Sequence, residues 1–243
     1  MDIFALVDEK KKIINNYKLF DKQNIVQIKN YFKIELTWTS NALDKNNITK
    51  IETKVLLEDE LSIGGRSIED VFKILGHGKA FEFMFSLGDL NTILEEDLLM
   101  MHKLYYSFNE FEYSGVYRKQ DIYVSGSKYP VCKKELVQDE MNKLLLWIKN
   151  ECNNYHPVEF SALLHKKFVL IQPFVKGNGI IARLLMNLVL IQNEYLMAII
   201  PPSLRKKYIS LLEYSHVNDK DFIIFIAERV LQSEEELVKL LNI

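Results

Sequence analysis

The chain has 243 residues, 48% of them hydrophobic, enough apolar side chain to build one large domain with a sizeable core, so disorder is excluded. Lys and Arg number 31 against 33 Asp and Glu, a formal net charge of −2, which leaves no global electrostatic footprint for nucleic acid or an acidic membrane surface. Two cysteines, Cys132 and Cys152, are too few and too badly spaced for a metal cluster or a disulfide framework, and no 18-residue apolar run exists for a membrane span.

Apolar residues recur at three- and four-residue spacing along most of the chain, and only 9 Gly and 5 Pro interrupt them, which predicts a mainly α fold. Met1 to Asp8 carries acids within its apolar stretch and has no basic start, unlike a signal peptide. A cytoplasmic protein is expected, an exported effector with an unconventional signal being the alternative. The first helices are expected over 3–17, 21–42, 49–59, 67–87 and 94–108, with Asp21, Thr49 and Ser67 as N-caps and a small turn at Ile63-Gly64-Gly65. Residues 115–131 break the pattern. There Val116-Tyr117-Arg118, Ile122-Tyr123-Val124 and the turn-forming Ser125-Gly126-Ser127 predict a short β-hairpin. Helices resume over 133–153, 156–171, 178–193, 203–216 and 219–241, with Ser203 and Asp219 as N-caps. The acidic run Ser233-Glu234-Glu235-Glu236 is expected on a solvated helix face.

The most informative run is Ile171-Gln172-Pro173-Phe174-Val175-Lys176-Gly177-Asn178-Gly179-Ile180-Ile181-Ala182-Arg183. Gly177-Asn178-Gly179 opens a strongly periodic helix, so its backbone N–H groups are expected at a helix N-terminus, where anions are stabilised. The glycines allow positive φ and a close approach to a ligand. Lys176 and Arg183 add cations on either side, and an arginine within an apolar helix face requires an anionic partner if buried.

This run resembles the Fic (Fido) family motif, HPFx[DE]GNGRxxR. Pro173, Phe174, Gly177, Asn178, Gly179 and Arg183 match, while the family His is Gln172, the metal-binding acid is Lys176 and the first Arg is Ile180. Gly115 to Pro130 is similar to the flap of Fic proteins, and Ser40 with Asp44 and Lys45 resembles the inhibitory-helix motif [ST]xxxE[GN]. The resemblance implies the helical Fic fold with a short β-hairpin flap. It further implies an N-terminal helical extension over 1–34 and a Fic-like domain over 35–243, containing the inhibitory-helix-like segment 39–46, the flap 115–131 and the loop motif 172–183. By the same resemblance Gly177, Asn178, Gly179 and Arg183 bind nucleotide, Lys176 being a further nucleotide-binding candidate at a position where the chain departs from the motif, and Ser40 and Asp44 are inhibitory, with Asp44 the expected partner of Arg183. Ile122, Tyr123 and Val124 then bind a protein target or partner at the flap edge by strand addition.

In the family the motif His takes a proton from a target hydroxyl, which attacks the α-phosphate of ATP. Gln172 has no useful basicity near neutral pH, and a positioned base is worth roughly 10²–10⁴ in rate. Lys176 cannot coordinate Mg²⁺, so the motif is not expected to hold that ion. Its ammonium either takes the metal's place beside the phosphates of ATP or another phosphate-bearing ligand, or faces solvent. His165, seven residues before Gln172 and about 10 Å away along a helix axis, is poorly placed as a substitute base. His77, His102, His156 and His216 show no metal-ligand spacing and are expected to be structural or on the surface. The leading expectation is a catalytically impaired pseudoenzyme that keeps the phosphate loop and acts through protein contacts. The alternatives are an adenylyltransferase using non-standard groups and an adaptor without nucleotide binding. Neither nucleic acid nor a membrane span is expected, and nothing in the sequence fixes the oligomeric state.

Overall fold

A computed structural model of the chain describes residues 2–16, 25–90, 92–109, 112–124 and 127–241. Among these residues ten α-helices appear in this order: α1 Ile3–Asn16, α2 Ile25–Leu43, α3 Lys50–Leu57, α4 Ile68–Ser86, α5 Glu95–Tyr105, α6 Val137–Glu151, α7 Pro157–Ile171, α8 Asn178–Gln192, α9 Arg205–Tyr214 and α10 Lys220–Leu241. Short 3₁₀ turns at Lys134–Leu136 and Pro202–Leu204 lead into α6 and α9. The expected helix periods are therefore present, with local adjustments at their ends. Thr49 caps α3 through a reciprocal pair with Glu52, whereas Ser203 lies inside a 3₁₀ turn that begins at Pro202, so it does not cap α9. The Asp21 cap lies outside the described residues.

α8 is the axis of the molecule. Every residue from Ile180 to Leu190 is buried, as an almost wholly apolar helix requires. Its partner in the α7–α8 hairpin brings Phe160, Leu164 and Phe168 into a core shared with Phe32 and Leu36 of α2, Phe81 and Met84 of α4, and Leu98 and Met101 of α5. A second apolar cluster joins Val7 of α1 and Met186 and Leu190 of α8 to Tyr208 of α9 and Phe222, Ile226 and Val230 of α10. Burying each such large side chain contributes about 1.5–3 kcal/mol. The expected boundary between residues 34 and 35 falls within α2, whose Ile28 and Phe32 enter the main core beside Leu36.

Two expectations are corrected. No strand occurs among the described residues, so residues 115–124 and 127–131 are irregular where a β-hairpin was expected; Ser125 and Gly126 of the expected turn lie outside those residues. Separate hydrogen bonds, most of them from side chains, hold the described residues of this segment. Arg118, only 2% exposed, donates from its backbone N–H to Pro173 O and from its guanidinium to the carbonyls of Gln120, Cys132, Ile171 and Gln172. At the far end Glu213 of α9 accepts from Ser127 Oγ and from Lys128 N–H. The second correction concerns Glu234, which is 0% exposed instead of lying on a solvated face, because α1 packs over α10 and covers it.

Candidate functional site

α7 ends on a left-handed residue, Gln172 (φ 49°, ψ 61°), whose N–H returns to Phe168 O at 3.1 Å. The chain then turns through Pro173 and Phe174 and re-enters helix at Gly177 (φ 79°). Asn178 closes this loop on itself: its Oδ1 accepts from Phe174 N–H and its Nδ2 donates to Phe174 O, both at 2.8 Å. Gly177 is required twice over. Its positive φ disfavours other L-residues, and a Cβ there would stand 3.1 Å from Tyr106 Oη. The first turn of α8 thus begins at a short, rigid loop with its N-terminal amides directed outward along the axis.

Arg183 lies one turn inside α8 and is only 2% exposed. Its Nε donates to Ser40 Oγ at 2.7 Å, its Nη2 to Ser40 O at 3.0 Å, and Nη2 stands 3.3 Å from Asp44 Oδ2. Tyr208 Oη lies 3.5 Å from Nη1 and in turn meets His165 Nε2 at 2.9 Å. Burial works against the guanidinium charge, but the Asp44 carboxylate and Tyr208 hold its pKa above the ordinary arginine value. Asp44 sits one residue past the end of α2, and Lys45 (φ 70°) turns the chain away.

Lys176 is exposed, and with Gly177 it lines an open cavity of about 500 Å³ whose other walls include Asn41, Asp44, Glu69, Lys73 and Tyr106. The cavity carries charges of both signs, and the Glu69 carboxyl is held below its usual range by Lys73 and, more weakly, by Lys176. The donor set does not suit Mg²⁺ at the position where the family motif has an acid, since the Lys176 ammonium has no lone pair to offer. Gln172 is half-buried at the loop's start.

Two site residues escaped sequence reasoning. His102 of α5 accepts from Gly115 N–H through Nδ1 at 2.8 Å and meets Lys176 O through Nε2 at 3.0 Å. This pattern fixes the Nε2–H tautomer, and the ring stacks on Phe174 with centroids 3.8 Å apart. Burial pushes its pKa down to about 4, so it is neutral at physiological pH. Arg118 is the second, binding the carbonyls on which the motif loop begins. Together they join the flap to the loop. The GVYR tetrapeptide was the only signal for Arg118, and His102 had none. Of the expected partner-binding residues, Tyr123 is 95% exposed, Val124 is exposed and Ile122 is half-buried. His165 and His77 are fully buried, and burial drives both pKa values down to about 3.

A family model described as Fic/DOC family matches residues 91–190. The protein adenylyltransferase Fic of Drosophila virilis is 32% identical over 192 residues, covering 78% of this chain and 39% of that protein. Its counterpart from Drosophila melanogaster is 33% identical over the same span and coverage. The chain thus spans about two fifths of the length of these curated relatives. Among solved structures, Fic-1 from C. elegans superposes with a TM-score of 0.85 at 22% identity, covering 99% of this chain and 72% of that one. A Fic domain containing signaling protein from Bacteroides thetaiotaomicron gives 0.83 at 22% identity, covering 96% and 94%. These two likenesses concern the fold.

Proposed function

We propose, from the premise that this chain belongs to the Fic/DOC family, that it is a catalytically impaired member which retains an anion-binding loop and acts through protein contacts. The observation that carries this reading is the state of three motif positions seen together. An amide, Gln172, stands where the family has its base; an ammonium, Lys176, stands where it has its metal ligand; and the retained Arg183 is engaged by Ser40 and Asp44. A chain so altered lacks a group to deprotonate an attacking hydroxyl, and the loss of a positioned base alone costs about 10²–10⁴ in rate.

The parts that bind remain. A phosphate-bearing ligand such as ATP would meet the N–H groups at the start of α8, with Gly177 permitting close approach and Lys176 offering positive charge in place of a divalent ion. Partner contact is assigned to the flap, where Tyr123 stands free of the core. No strand ladder forms among the described residues of the flap, so recognition is proposed to rest on this side chain and its neighbours Ile122 and Val124.

Calorimetric titration with ATP, with and without Mg²⁺, tests the reading together with incubation in labelled ATP. Metal-independent binding without AMP transfer supports it. Metal-dependent binding with transfer would establish an active enzyme, and absence of any binding would favour an adaptor. No helix among the described residues is long and apolar enough to cross a membrane.

A further inference from the structure

We propose that α1 is a pH-sensitive strap, docked on α10 while Glu234 carries a proton and loosened when that proton leaves. The geometry begins with a carboxyl group in the wrong place: Glu234 is fully buried under α1, and neither of its oxygens has a hydrogen-bond partner. A carboxylate left so would be strongly destabilising, whereas a neutral carboxyl is tolerated.

The groups that face it explain why it stays neutral. From α1 come Asp8, Lys10 and Lys11; from the connection after α8 comes Tyr195. Asp8 is the anion of the cluster. It accepts from Tyr195 Oη at 2.6 Å and from His156 Nε2 at 3.2 Å, and these bonds hold its carboxyl below the usual range although burial acts the other way. His156 is the N-cap of α7 and takes Val158 N–H on its Nδ1, which leaves Nε2–H to donate to Asp8. Lys11 does not neutralise Glu234, because its ammonium donates to Asn193 O at 2.7 Å and lies over the Tyr195 ring. A second carboxylate behind Asp8 therefore faces burial and like charge together, and burial followed by Asp8 pushes the Glu234 pKa up to about 8.

The linkage sign follows. With α1 docked, Glu234 holds its proton up to about pH 8; with α1 lifted and the carboxyl in water, it releases that proton near its ordinary value of 4.5. Docking is strongest below 4.5, weakens about tenfold per pH unit as pH rises from there to about 8, and is flat above. Loosening withdraws Val7 and Ile14 from the two apolar cores, so the strap changes what the helical surface presents near neutral pH.

Hydrogen–deuterium exchange on the full chain, corrected for intrinsic rate and referenced to α8, reads the docking directly. Protection of α1 is expected to fall about tenfold per pH unit between pH 6 and pH 8 and then level off. Glu234→Gln is expected to hold α1 protected with no pH dependence. Should that variant fail to fold, carboxyl-carbon NMR of the glutamate-labelled wild-type chain is expected to show one glutamate titrating near pH 8. Constant α1 protection in the wild type, an equal decline in Glu234→Gln, or no glutamate titrating above about pH 6 would each overturn the proposal.

Discussion

Arg183 of α8 and Asp44, just past the end of α2, meet at 3.3 Å, although they lie 139 positions apart in sequence, and the contact ties the motif helix to the segment that resembles the family's inhibitory helix. The Asp44 side chain is 45% exposed while that of Arg183 is 3%, so the pair is lopsided: the carboxylate is wet and replaceable, the guanidinium is not. Asp44→Ala is expected to cost under about 1 kcal/mol of stability, because a half-exposed partner is screened by solvent. It is also expected to raise ATP affinity in calorimetry, since one anion contending for Arg183 is gone. An unchanged or lower affinity would show that this contact does not restrain the site.

Ser40 supplies the more deeply buried half of the same arrangement, through Oγ at 2.7 Å and its carbonyl at 3.0 Å. Ser40→Ala removes one charge-assisted bond and leaves Nε without its acceptor, which should destabilise the fold by about 1–3 kcal/mol in urea unfolding. A loss larger than that of Asp44→Ala is the outcome to check.

Restoring Gln172→His and Lys176→Asp together should yield more AMP transfer from labelled ATP and Mg²⁺ than the sum of the single changes. Base and metal ligand act in one transition state, so their effects are not additive. If the double variant stays silent, a further loss beyond these two positions, such as Ile180 for the family Arg, must be responsible.

Acid sensitivity is expected from His77, His102 and His165, whose pKa values fall to about 3, 4 and 3 through burial. A lowered histidine pKa means that the unfolded chain, near 6.5, binds protons that the folded one refuses. Their contribution is fully present above pH 6.5 and is lost as pH falls towards 4. Glu234 opposes this by one proton over the same window, leaving a net two, or about 2.7 kcal/mol per pH unit. Urea midpoints at pH 7, 6 and 5 measure the slope, and His102→Phe, which keeps the stack on Phe174, should remove about one proton's share of it.

Among the described glycines, Gly76 leaves the least room for a side chain. A Cβ placed there would stand 1.9 Å from Tyr105 O, so α4 cannot lie this close to α5 with any other residue. Gly76→Ala should destabilise by more than about 3 kcal/mol, far beyond an ordinary overpacking cost, and chemical denaturation will show it. Gly64→Ala, where nothing lies within 4 Å, should change little.

Much of the candidate site was legible because it is local. Gly177 at φ 79°, Asn178 bridging to Phe174 four residues back, and Arg183 a turn inside α8 are all consequences of a short stretch of chain and its dihedral preferences. Helical periods were legible for the same reason, since a 3.6-residue repeat is written into the segment that folds. Even the long-range Asp44–Arg183 contact could be anticipated, because a buried cation needs an anion and a motif resemblance named one.

What the sequence could not decide is where side chains find partners far along the chain. The alternating residues of 116–124 suit a strand, yet Arg118 takes carbonyls up to 54 residues away and holds the segment irregular. His102 looked like any core histidine until packing brought Gly115 N–H and Lys176 O to its two nitrogens. Glu234 belongs by composition to an acidic, solvated face, yet it is buried where α1 packs on α10. Local pattern fixes backbone conformation and a preference for burial, whereas desolvation and the matching of donors to acceptors depend on which surfaces meet, and that is settled by the packing of the whole chain.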